Sequence, residues 1–499
     1  MAIPKEGMFP MLDKLMALFT KGEGTPQIDK DTAVNLITDR VALDAFDKSY
    51  RETAMAETKF SSNSFDHNSR DASEAVRTKN EELVFDEKKL AEVIDRAVNE
   101  LVAQTPPALV CIESCTSSQK LLCGDIKEED FLTHDDIKGI PKEVRPQLAG
   151  SLVSYDLAPD ASRELILQAL EAAFDETKPA SEREMNYARF QQGLDILDLD
   201  PFMYEILGRN RNSMSYWLPA ISFACACDGF FKIPKTRIAK VPLPILQLTR
   251  KEYGQLTPTT LKIVDDWAMK AFDLDVTKSY FIKTGCYSSK FDFRNCKVTG
   301  EKEVRELGEY LLYIQQQANY MAGPLTMPHP IIGVSTTNEW VVREYIEDVE
   351  NNPTIYKGLP LHTEYRVFVD CDTDEILGYT PYWLPEGMKK HFGRDAEKNP
   401  HMYHDYVTFS THEGIMTKRY SENIDRVLAH VKAMLPNIAL SGQWSIDIMQ
   451  NGEDFWVIDM AIASRSALNE CVPAGKLKQM RDLIITPAQA TEISKALPS

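Results

Sequence analysis

Two short apolar runs, Trp444-Ser-Ile-Asp-Ile-Met449 and Phe455-Trp-Val-Ile-Asp-Met460, decide how the fold of this chain is interpreted. Each run holds one aspartate among mainly apolar residues, and an Asn-Gly pair lies between the runs. Apolar runs of this length, bounded by turn-forming residues, are typical of the two strands of an antiparallel hairpin. A charge buried in a strand costs free energy unless it is paired, so both aspartates are candidates for a functional site.

The turn between the runs sets the face that each aspartate occupies. A two-residue turn at Asn451-Gly452 would pair Asp447 with Trp456 and put the aspartates on opposite faces. A connection one residue longer pairs Asp447 with Val457, and Asp459 then lies diagonally across on the same face, within roughly 7 Å. We predict the longer connection, because it also gathers the apolar side chains on one face: Trp444, Ile446, Ile448, Trp456 and Ile458.

From about residue 215 the sequence alternates strand-like and helical segments. This order predicts an α+β fold with antiparallel hairpins rather than a doubly wound parallel sheet. The sequence contains neither Gly-x-Gly-x-x-Gly nor Gly-x-x-x-x-Gly-Lys-Ser/Thr, which disfavours Rossmann and P-loop sites. The further predicted strands are 280–284, 291–298, 339–346, 363–370 and 375–383, and the predicted helices are 257–272, 301–322 and 422–434.

Charged residues recur inside these apolar strands. A single charge of this kind usually marks a solvated face or an edge strand. When charged residues recur in this way in five strands, they indicate one shared polyanionic ligand and its metal ions. Lysine and arginine suit phosphate oxygens, whereas carboxylates suit Mg²⁺, so the pattern predicts a nucleoside triphosphate site. Besides the two aspartates, the strand charges are Lys283, Arg343, Glu344, Glu364 and Arg366.

The order of these motifs over residues 215–470 resembles the ATP-grasp superfamily. The resemblance implies an ATP-grasp fold, in which two α+β subdomains grip ATP and Mg²⁺. Lys283 resembles the strand lysine that holds phosphates, and residues 285–290 resemble the phosphate-covering loop, with Lys290 as a second contact. Glu364 and Arg366 resemble the strand whose arginine stabilises transferred phosphate, and Asp447 and Asp459 resemble the metal-binding acids.

The same resemblance implies a site for the nucleoside. Backbone groups of Glu344, Tyr345 and Ile346 correspond to the hinge that meets the adenine edge, and Glu347 or Asp348 corresponds to a ribose contact. Two branches of the superfamily are the most similar. One is a phage and bacterial group proposed to act in RNA repair, and the other is the cell-division-cycle family that assembles translation initiation factor 2.

Two features depart from the superfamily pattern. Ala461 stands where an asparagine usually follows the second metal acid, so Ser464, Asn469 or water would have to complete the coordination. The covering loop has one glycine, Gly285, which weakens its backbone as a phosphate cradle. Arg465 is a further candidate for contact with a substrate anion.

The resemblance also implies a domain order. We expect a mainly helical N-terminal region (1–205), N-terminal and central ATP-grasp subdomains (206–345), a C-terminal subdomain (346–475) and a tail (476–499). Within the first region, the sequence predicts helices at 82–105 and 181–208 and a buried strand at 108–114.

The expected function is an ATP-dependent ligase that joins a carboxylate to an amine or related nucleophile through an acyl phosphate. In that reaction Lys290 and Arg366 are the expected catalytic residues. One alternative is a nucleotide-gated assembly factor that binds a protein partner, with residues 1–205 as a possible contact region. The other is a ligase that modifies nucleic acid.

Composition limits the partners. The 499 residues carry a net charge of −19, which opposes long-range attraction to nucleic acid, although the basic patch at 389–394 leaves local phosphate contacts open. Nine dispersed cysteines fit a reducing cytosol better than a disulfide framework, and His401, His404 and His412 lack the partners of a typical zinc site. No apolar stretch approaches the roughly 20 residues that span a bilayer. We therefore expect a soluble cytoplasmic protein without a membrane segment.

Overall fold

A computed structural model gives the fold for part of the chain. It describes residues 76–79, 82–85, 95, 98–99, 102, 110–112, 159–196, 199–250, 256, 258–322, 333–388 and 400–497. Within these ranges the chain mixes helices with mostly antiparallel strands, as the sequence predicts.

Most described strands belong to two five-stranded sheets. The first sheet has the order β3-β5-β8-β6-β7 and is antiparallel throughout. The second sheet has the order β12-β11-β13-β14-β4, and only its β14–β4 pair is parallel. The strands are β1 (Val76–Lys79), β2 (Glu82–Phe85), β3 (Val110–Ile112), β4 (Phe231–Lys232), β5 (Thr236–Lys240), β6 (Tyr280–Thr284), β7 (Lys297–Val298), β8 (Glu339–Glu344), β9 (Thr354–Ile355), β10 (Leu359–Pro360), β11 (Thr363–Asp370), β12 (Glu375–Pro381), β13 (Gln443–Asn451) and β14 (Asp454–Ile462).

Helices cover both sheets. The longest, α9, has 35 residues and packs its Tyr420, Val427 and Val431 against the core of the second sheet. Among the described residues, every helix is too short or too polar to cross a membrane. The helices are α1 (Pro159–Phe174), α2 (Ala180–Ile196), α3 (Pro201–Leu207), α4 (Met214–Asp228), α5 (Leu243–Leu248), α6 (Pro258–Ala271), α7 (Gly300–Arg305), α8 (Leu307–Ala322), α9 (Pro400–Met434) and α10 (Pro487–Ala496).

Strand alternation decides which side chains reach the space between the sheets. In β6, Tyr280 and Ile282 join a helical core in which the rings of Trp267 and Trp340 lie 5.7 Å apart. Lys283, the residue after Ile282, therefore points to the opposite face, because successive strand residues alternate. On that face a second core joins the two sheets, with Ile238 and Val341 from the first and Val367, Val369 and Ile446 from the second.

Several predicted strands are confirmed. The observed bounds of β6 and β11 match the predictions at 280–284 and 363–370. The observed β8 and β12 each end two residues before the predicted ends, 346 and 383. The strand predicted at 291–298 is wrong, since residues Lys290–Asn295 form a 3-10 helix and only Lys297–Val298 pair as a strand. Short-range hydrogen bonds take the place of strand pairing in this segment; for example, Asp292 N donates to Ser289 O at 2.9 Å.

The predicted helices need small corrections. The helix predicted at 257–272 is confirmed as α6. The helix predicted at 422–434 is the last part of the longer α9. The helix predicted at 301–322 is divided at Glu306 into α7 and α8. The prediction of one helix over 181–208 is wrong, because a new helix, α3, begins at Pro201. Asp200 is its N-cap, and the Asp200 carboxylate accepts a hydrogen bond from Met203 N at 2.8 Å.

The N-terminal predictions are tested only in part. The strand at 108–114 is confirmed over Val110–Ile112, which pairs with β5. The helix predicted at 82–105 is wrong at its start, since Glu82–Phe85 pairs with Val76–Lys79 as a hairpin. Most of 1–158 lies outside the described residues, so the mainly helical character of 1–205 stays a prediction, as do the domain bounds.

Candidate functional site

The β13–β14 hairpin has neither of the turns considered for the sequence. Asn451 pairs with Asp454, so Gly452 and Glu453 form the turn, and Gly452 has the positive φ (63°) that glycine tolerates. A bulge follows between Asp447 and Ile448, where Ile458 is the extra residue on β14. Asp447 consequently lies directly opposite Asp459, and the predicted pairing with Val457 is wrong.

The bulge also changes the apolar face of the hairpin. Trp444, Ile446 and Ile448 are buried in the core between the sheets, as expected. Their companions from β14 are Phe455 and Val457, whereas the predicted Trp456 and Ile458 point elsewhere. Ile458 lines a cleft, and Lys232 Nζ lies 5.5 Å from the ring centre of Trp456.

The cleft lies between the two sheets and has a volume of about 880 Å³, part of it open to solvent. Side chains from both sheets converge on it. The first sheet contributes Lys283 and Arg343, and the second contributes Glu364, Asp447 and Asp459. The charged and titratable lining is completed by Lys290, Glu344 and His362.

One ion pair spans the cleft. Lys283 Nζ donates to Asp459 Oδ1 at 3.0 Å and to Oδ2 at 3.1 Å, and thereby connects β6 of the first sheet to β14 of the second. The lysine side chain is 3% exposed, whereas that of Asp459 is 41% exposed. The Asp459 carboxylate neutralises the charge of the buried Lys283 ammonium. Because Asp459 is the more exposed of the two, it is the residue that a ligand can reach.

A second, more buried pair lies beside it on the second sheet. Arg366 Nε donates to Asp447 Oδ1 at 2.7 Å and Nη2 donates to Oδ2 at 2.6 Å, a two-point contact across neighbouring strands. The remaining Nη1 donates to Ala467 O at 3.0 Å. Burial opposes the charge of the guanidinium, but the Asp447 carboxylate outweighs it and raises the pKa of Arg366. These contacts fix the orientation of both side chains.

Lys290 and Glu364 stand nearby in a less polar setting. Lys290 hydrogen-bonds Tyr382 Oη, and burial lowers the pKa of its ammonium. Glu364 accepts a hydrogen bond from Trp383 Nε1 at 2.9 Å, and burial raises the pKa of its carboxyl to about 7. Because half of the Glu364 carboxyls are neutral near that pH, this residue repels an approaching anion less than a free glutamate does.

Strand alternation explains the placement of Glu364 and Arg366. As predicted, they share one face of β11, while Tyr365, Val367 and Val369 pack behind them in the core. The same alternation extends backwards to His362, which lines the cleft, is 4% exposed and has its pKa lowered by burial. The sequence interpretation missed His362, although its spacing from Glu364 was the signal.

Arg343 was named among the strand charges, but the sequence interpretation gave it no role in the site. Its Nε donates to Thr236 Oγ1 at 3.1 Å, and its Nη1 donates to Ile458 O, so it too ties the first sheet to the second. Burial lowers the pKa of Arg343 to about 10. The register places it opposite Phe281, which lies two residues from Lys283, so these side chains share one sheet face.

The predicted adenine contacts Glu344, Tyr345 and Ile346 do line the cleft, at an end that also contains Phe281 and Phe293. Two of their backbone donors are already used, since Glu344 N donates to Lys235 O at 2.8 Å and Tyr345 N donates to Ser279 O at 2.9 Å. An adenine edge in this position would therefore need other backbone groups of the segment.

The predicted ribose contacts lie outside the cleft lining. The Glu347 side chain is 68% exposed and lies 3.9 Å from Lys297 Nζ. Asp348 accepts hydrogen bonds from the backbone of Glu350 and Asn352 at 3.0 and 2.6 Å. A ribose contact by either carboxylate therefore stays a prediction, since both lie outside the lining of the cleft.

The candidate replacements for the missing asparagine are also elsewhere. Asn469 Nδ2 donates to Ser464 O at 3.4 Å, and neither residue belongs to the described lining. Arg465 Nη2 donates to Gln191 Oε1 at 3.2 Å, and Arg465 does not line the cleft. The chain thus offers two facing carboxylates, a donor set that fits Mg²⁺, which is commonly bound by one or two carboxylates together with phosphate oxygens and water.

A second group of possible metal ligands surrounds His362. Asp348, Glu350 and His362 hold possible ligand atoms within 4.8 Å of one another. Arg419 Nη1 already donates to Glu350 Oε2 at 3.0 Å, which opposes a cation there. Of the histidines named from the sequence, His404 is exposed and His412 is buried, and the side chain of His401 lies outside the described residues.

The loop at 285–290 is held by local bonds at its start. Thr284 Oγ1 accepts from Cys286 N at 3.3 Å and from Tyr287 N at 2.9 Å. A Cβ on Gly285 would lie 2.5 Å from Thr337 Oγ1 and 2.6 Å from Glu339 Cγ. The single glycine of this loop is therefore needed for close packing on the β8 segment.

Replacing Gly285 by alanine is expected to lower the free energy of unfolding by about 1–3 kcal/mol, because the added methyl overpacks a buried contact. A matched control is Gly414→Ala in α9, where no atom lies within 4 Å of the new methyl and the helix gains about 0.5–1 kcal/mol. Urea unfolding of both variants measures the difference. A Gly285→Ala protein as stable as the parent would show that the loop does not depend on this packing.

No family model matches the sequence, and no curated protein matches it. Among solved structures, the chain is similar to the C-terminally truncated Cdc123 of Schizosaccharomyces pombe (11% identity, TM-score 0.30, 55% of this chain and 91% of that chain). It is also similar to a second Cdc123 structure from that organism (12%, 0.29, 54% and 93%). A third similarity is to D-alanine–D-alanine ligase from Bacillus anthracis complexed with ATP (10%, 0.25, 68% and 92%). TM-scores of this size do not establish a family, and the proposals below rest on the cleft itself.

Proposed function

We propose that the cleft binds ATP with Mg²⁺ and that the chain is an ATP-dependent ligase, joining a carboxylate to an amine or related nucleophile. The observation that carries the proposal is the convergence of cations and carboxylates from two sheets on one cleft. The cations that line the cleft are Lys283, Lys290 and Arg343, and the facing carboxylates are Asp447 and Asp459. Arg366 is not part of the lining but is joined to it through Asp447.

The lining of the cleft suits this ligand. Phe281, Phe293 and Tyr345 provide aromatic surface for a planar base. The charged side chains provide donors for phosphate oxygens.

The existing ion pairs support binding of a nucleotide and a cation together. Lys283 is neutralised by Asp459, and Arg366 by Asp447. Phosphate alone would take the cations and leave two carboxylates unpaired, which is costly above all for Asp447, whose side chain is 8% exposed. Mg²⁺ supplies the positive charge that those carboxylates and the phosphates need. The lysine and the arginine would then pair with phosphate and the two aspartates with Mg²⁺, so that none of the four side chains is left unpaired.

The proposed reaction needs positioning and charge neutralisation more than a nucleophile from the protein. A carboxylate oxygen of the substrate bonds to the γ-phosphorus, and the bond to the β,γ-bridging oxygen breaks to release ADP. The amine, as the free base, then bonds through its nitrogen to the acyl carbon, and phosphate leaves with the electrons of the broken C–O bond. The nitrogen gives up one proton, which the departing phosphate carries away. Lys290 and Arg366 would stabilise the negative charge on the transferred phosphoryl group.

A second candidate is a nucleotide-gated assembly factor, which uses ATP to set the arrangement of the two sheets for a protein partner. The observation that favours it is the pair of ties between the sheets, Lys283 to Asp459 and Arg343 to Ile458 O. A nucleotide that recruits these cations would alter both ties. Saturable ATP binding without phosphate release or a ligated product would favour this candidate over the ligase.

Both candidate functions require that the cleft binds ATP, and a titration with a fluorescent ATP analogue in the presence of Mg²⁺ tests this. We expect saturation with a dissociation constant on the order of 10–100 μM, and about tenfold weaker binding by Lys290→Met. Lys302→Met, on the exposed surface of α7, is the matched control and should bind like the parent. Failure of the parent protein to bind up to millimolar nucleotide, while folded, would overturn both candidates.

A further inference from the structure

Tyr382 contacts both of the cations that are expected to stabilise the transferred phosphoryl group. Lys290 Nζ donates a hydrogen bond to Tyr382 Oη, and Arg366 Cζ lies 4.6 Å from the centre of the Tyr382 ring. Lys290 belongs to the segment that follows β6 of the first sheet, whereas Arg366 lies on β11 of the second. Tyr382 therefore joins two cations that reach the site from different parts of the fold.

The pairing of β11 with β12 sets the position of Tyr382. Arg366 lies opposite Thr380, and Tyr382 N donates to Glu364 O at 3.0 Å, just beyond the end of β12. Opposed residues of paired strands share a face, so Tyr382 lies on the polar face that carries Glu364 and Arg366. The ring of Trp383 packs edge-on against that of Tyr382, with the ring centres 5.0 Å apart, and Trp383 Nε1 donates to Glu364. These contacts hold the Tyr382 ring in place.

The contacts of Tyr382 leave both cations able to bind phosphate. A lysine ammonium has three N–H donors, of which the hydrogen bond from Lys290 to Tyr382 Oη uses one. The ring contact of Arg366 is additional to the hydrogen bonds that its nitrogens make with Asp447 and Ala467. That contact would persist if the Asp447 carboxylate exchanged Arg366 for Mg²⁺, and it would still position the guanidinium.

Tyr382 also offsets the repulsion between the two cations. Burial, and with it the charge of Arg366, lowers the pKa of Lys290. The hydroxyl oxygen of a tyrosine and the face of its ring both carry negative partial charge. Contact with Tyr382 therefore stabilises the two positive charges in neighbouring positions.

We propose that Tyr382 is a positioning residue for the phosphate end of the nucleotide: its hydroxyl holds Lys290 and its ring holds Arg366, so that both cations lie where the terminal phosphate binds. The inference rests on the proposed function, because it presupposes ATP in the cleft. Tyr382 is not among the described residues that line the cleft, so its effect passes through the two cations.

Competition of ATP and of ADP with a fluorescent ATP analogue, in the presence of Mg²⁺, measures the effect on the terminal phosphate. We expect Tyr382→Phe, which keeps the ring and loses the hydroxyl, to weaken ATP binding about threefold. Tyr382→Leu loses the ring as well and should weaken it about tenfold. ADP lacks the terminal phosphate, so its affinity should change less than about twofold in both variants.

The matched controls are Tyr379→Phe and Tyr379→Leu, since Tyr379 lies on the same strand and is 48% exposed. Both should bind ATP and ADP like the parent, and the unfolding temperature checks the fold of every variant. ADP binding that weakens as much as ATP binding in the Tyr382 variants is the result of a general loss of packing, and it would overturn the inference.

A double-mutant cycle tests whether the hydroxyl acts through Lys290. In the Lys290→Met background, Tyr382→Phe should change the affinity for ATP by less than about 1.5-fold, because the hydroxyl then has no ammonium to hold. A loss as large as that in the parent background would show that the hydroxyl acts independently of Lys290, contrary to the inference.

Failure of the proposed function has a different signature. A folded parent protein that binds neither nucleotide overturns the ATP site and this inference with it. A parent that binds ATP, with Tyr382 variants that bind it equally well, overturns the inference alone. Because every readout is a binding constant, the result holds whether or not the protein releases phosphate.

Discussion

Replacing Asp447 by asparagine is expected to lower ATP-dependent phosphate release by about a hundredfold or more, since a charged group would be lost where phosphate charge must be neutralised. Both oxygens of Asp447 accept hydrogen bonds from Arg366. An asparagine keeps one oxygen and turns an amide N–H₂ group towards the guanidinium. The variant therefore loses a candidate Mg²⁺ ligand and also releases Arg366 from its orientation.

The control for this experiment is Asp454→Asn, in the same hairpin. Asp454 is partly exposed and pairs with Lys232 at 2.6 Å, so its replacement should leave phosphate release unchanged. The unfolding temperature of each variant checks the fold, because an unpaired buried arginine can cost about 3–5 kcal/mol. If Asp447→Asn alone unfolds, Asp447→Asn with Arg366→Gln removes both charges. Phosphate release at the parental rate in either folded protein would remove Asp447 from the mechanism.

Local pattern was enough to predict the parts of the site that depend on a single strand. In β11 the apolar Tyr365 and Val367 alternate with Glu364 and Arg366, so the pattern predicts both the strand and its polar face. The same holds for Lys283 in β6. The expectation that both aspartates share one face is also met, although the register was wrong.

The parts that failed depend on contacts between distant segments. The bulge at Ile458 belongs to the pairing of β14 with β13, which no pattern within a single strand shows. Asn451 Nδ2 donates to the backbone oxygen of Glu347 at 2.8 Å, and Asn451 Oδ1 accepts from Val349 N at 3.1 Å. These bonds hold residues 347–349 against the end of β13, a contact between distant segments that no local pattern shows.

Lys283→Met and Asp459→Asn are expected to shift the affinity for metal-free ATP in opposite directions. Lys283→Met removes a buried ammonium that can contact phosphate and should weaken binding about 10–100-fold. Asp459→Asn removes the carboxylate that now holds Lys283 at 3.0 Å and repels phosphate, so binding should tighten several-fold.

Fluorescent ATP titrations with EDTA, and then with Mg²⁺, distinguish partner exchange from simple loss of a contact. Adding Mg²⁺ should tighten binding by the parent more than by Asp459→Asn, because the variant no longer has a carboxylate for the cation to neutralise. Lys283→Met is close to the lysine in volume and should fold, which the unfolding temperature checks. If both variants weaken metal-free binding alike, Lys283 and Asp459 do not exchange partners on nucleotide binding, and their ion pair serves only to join the two sheets.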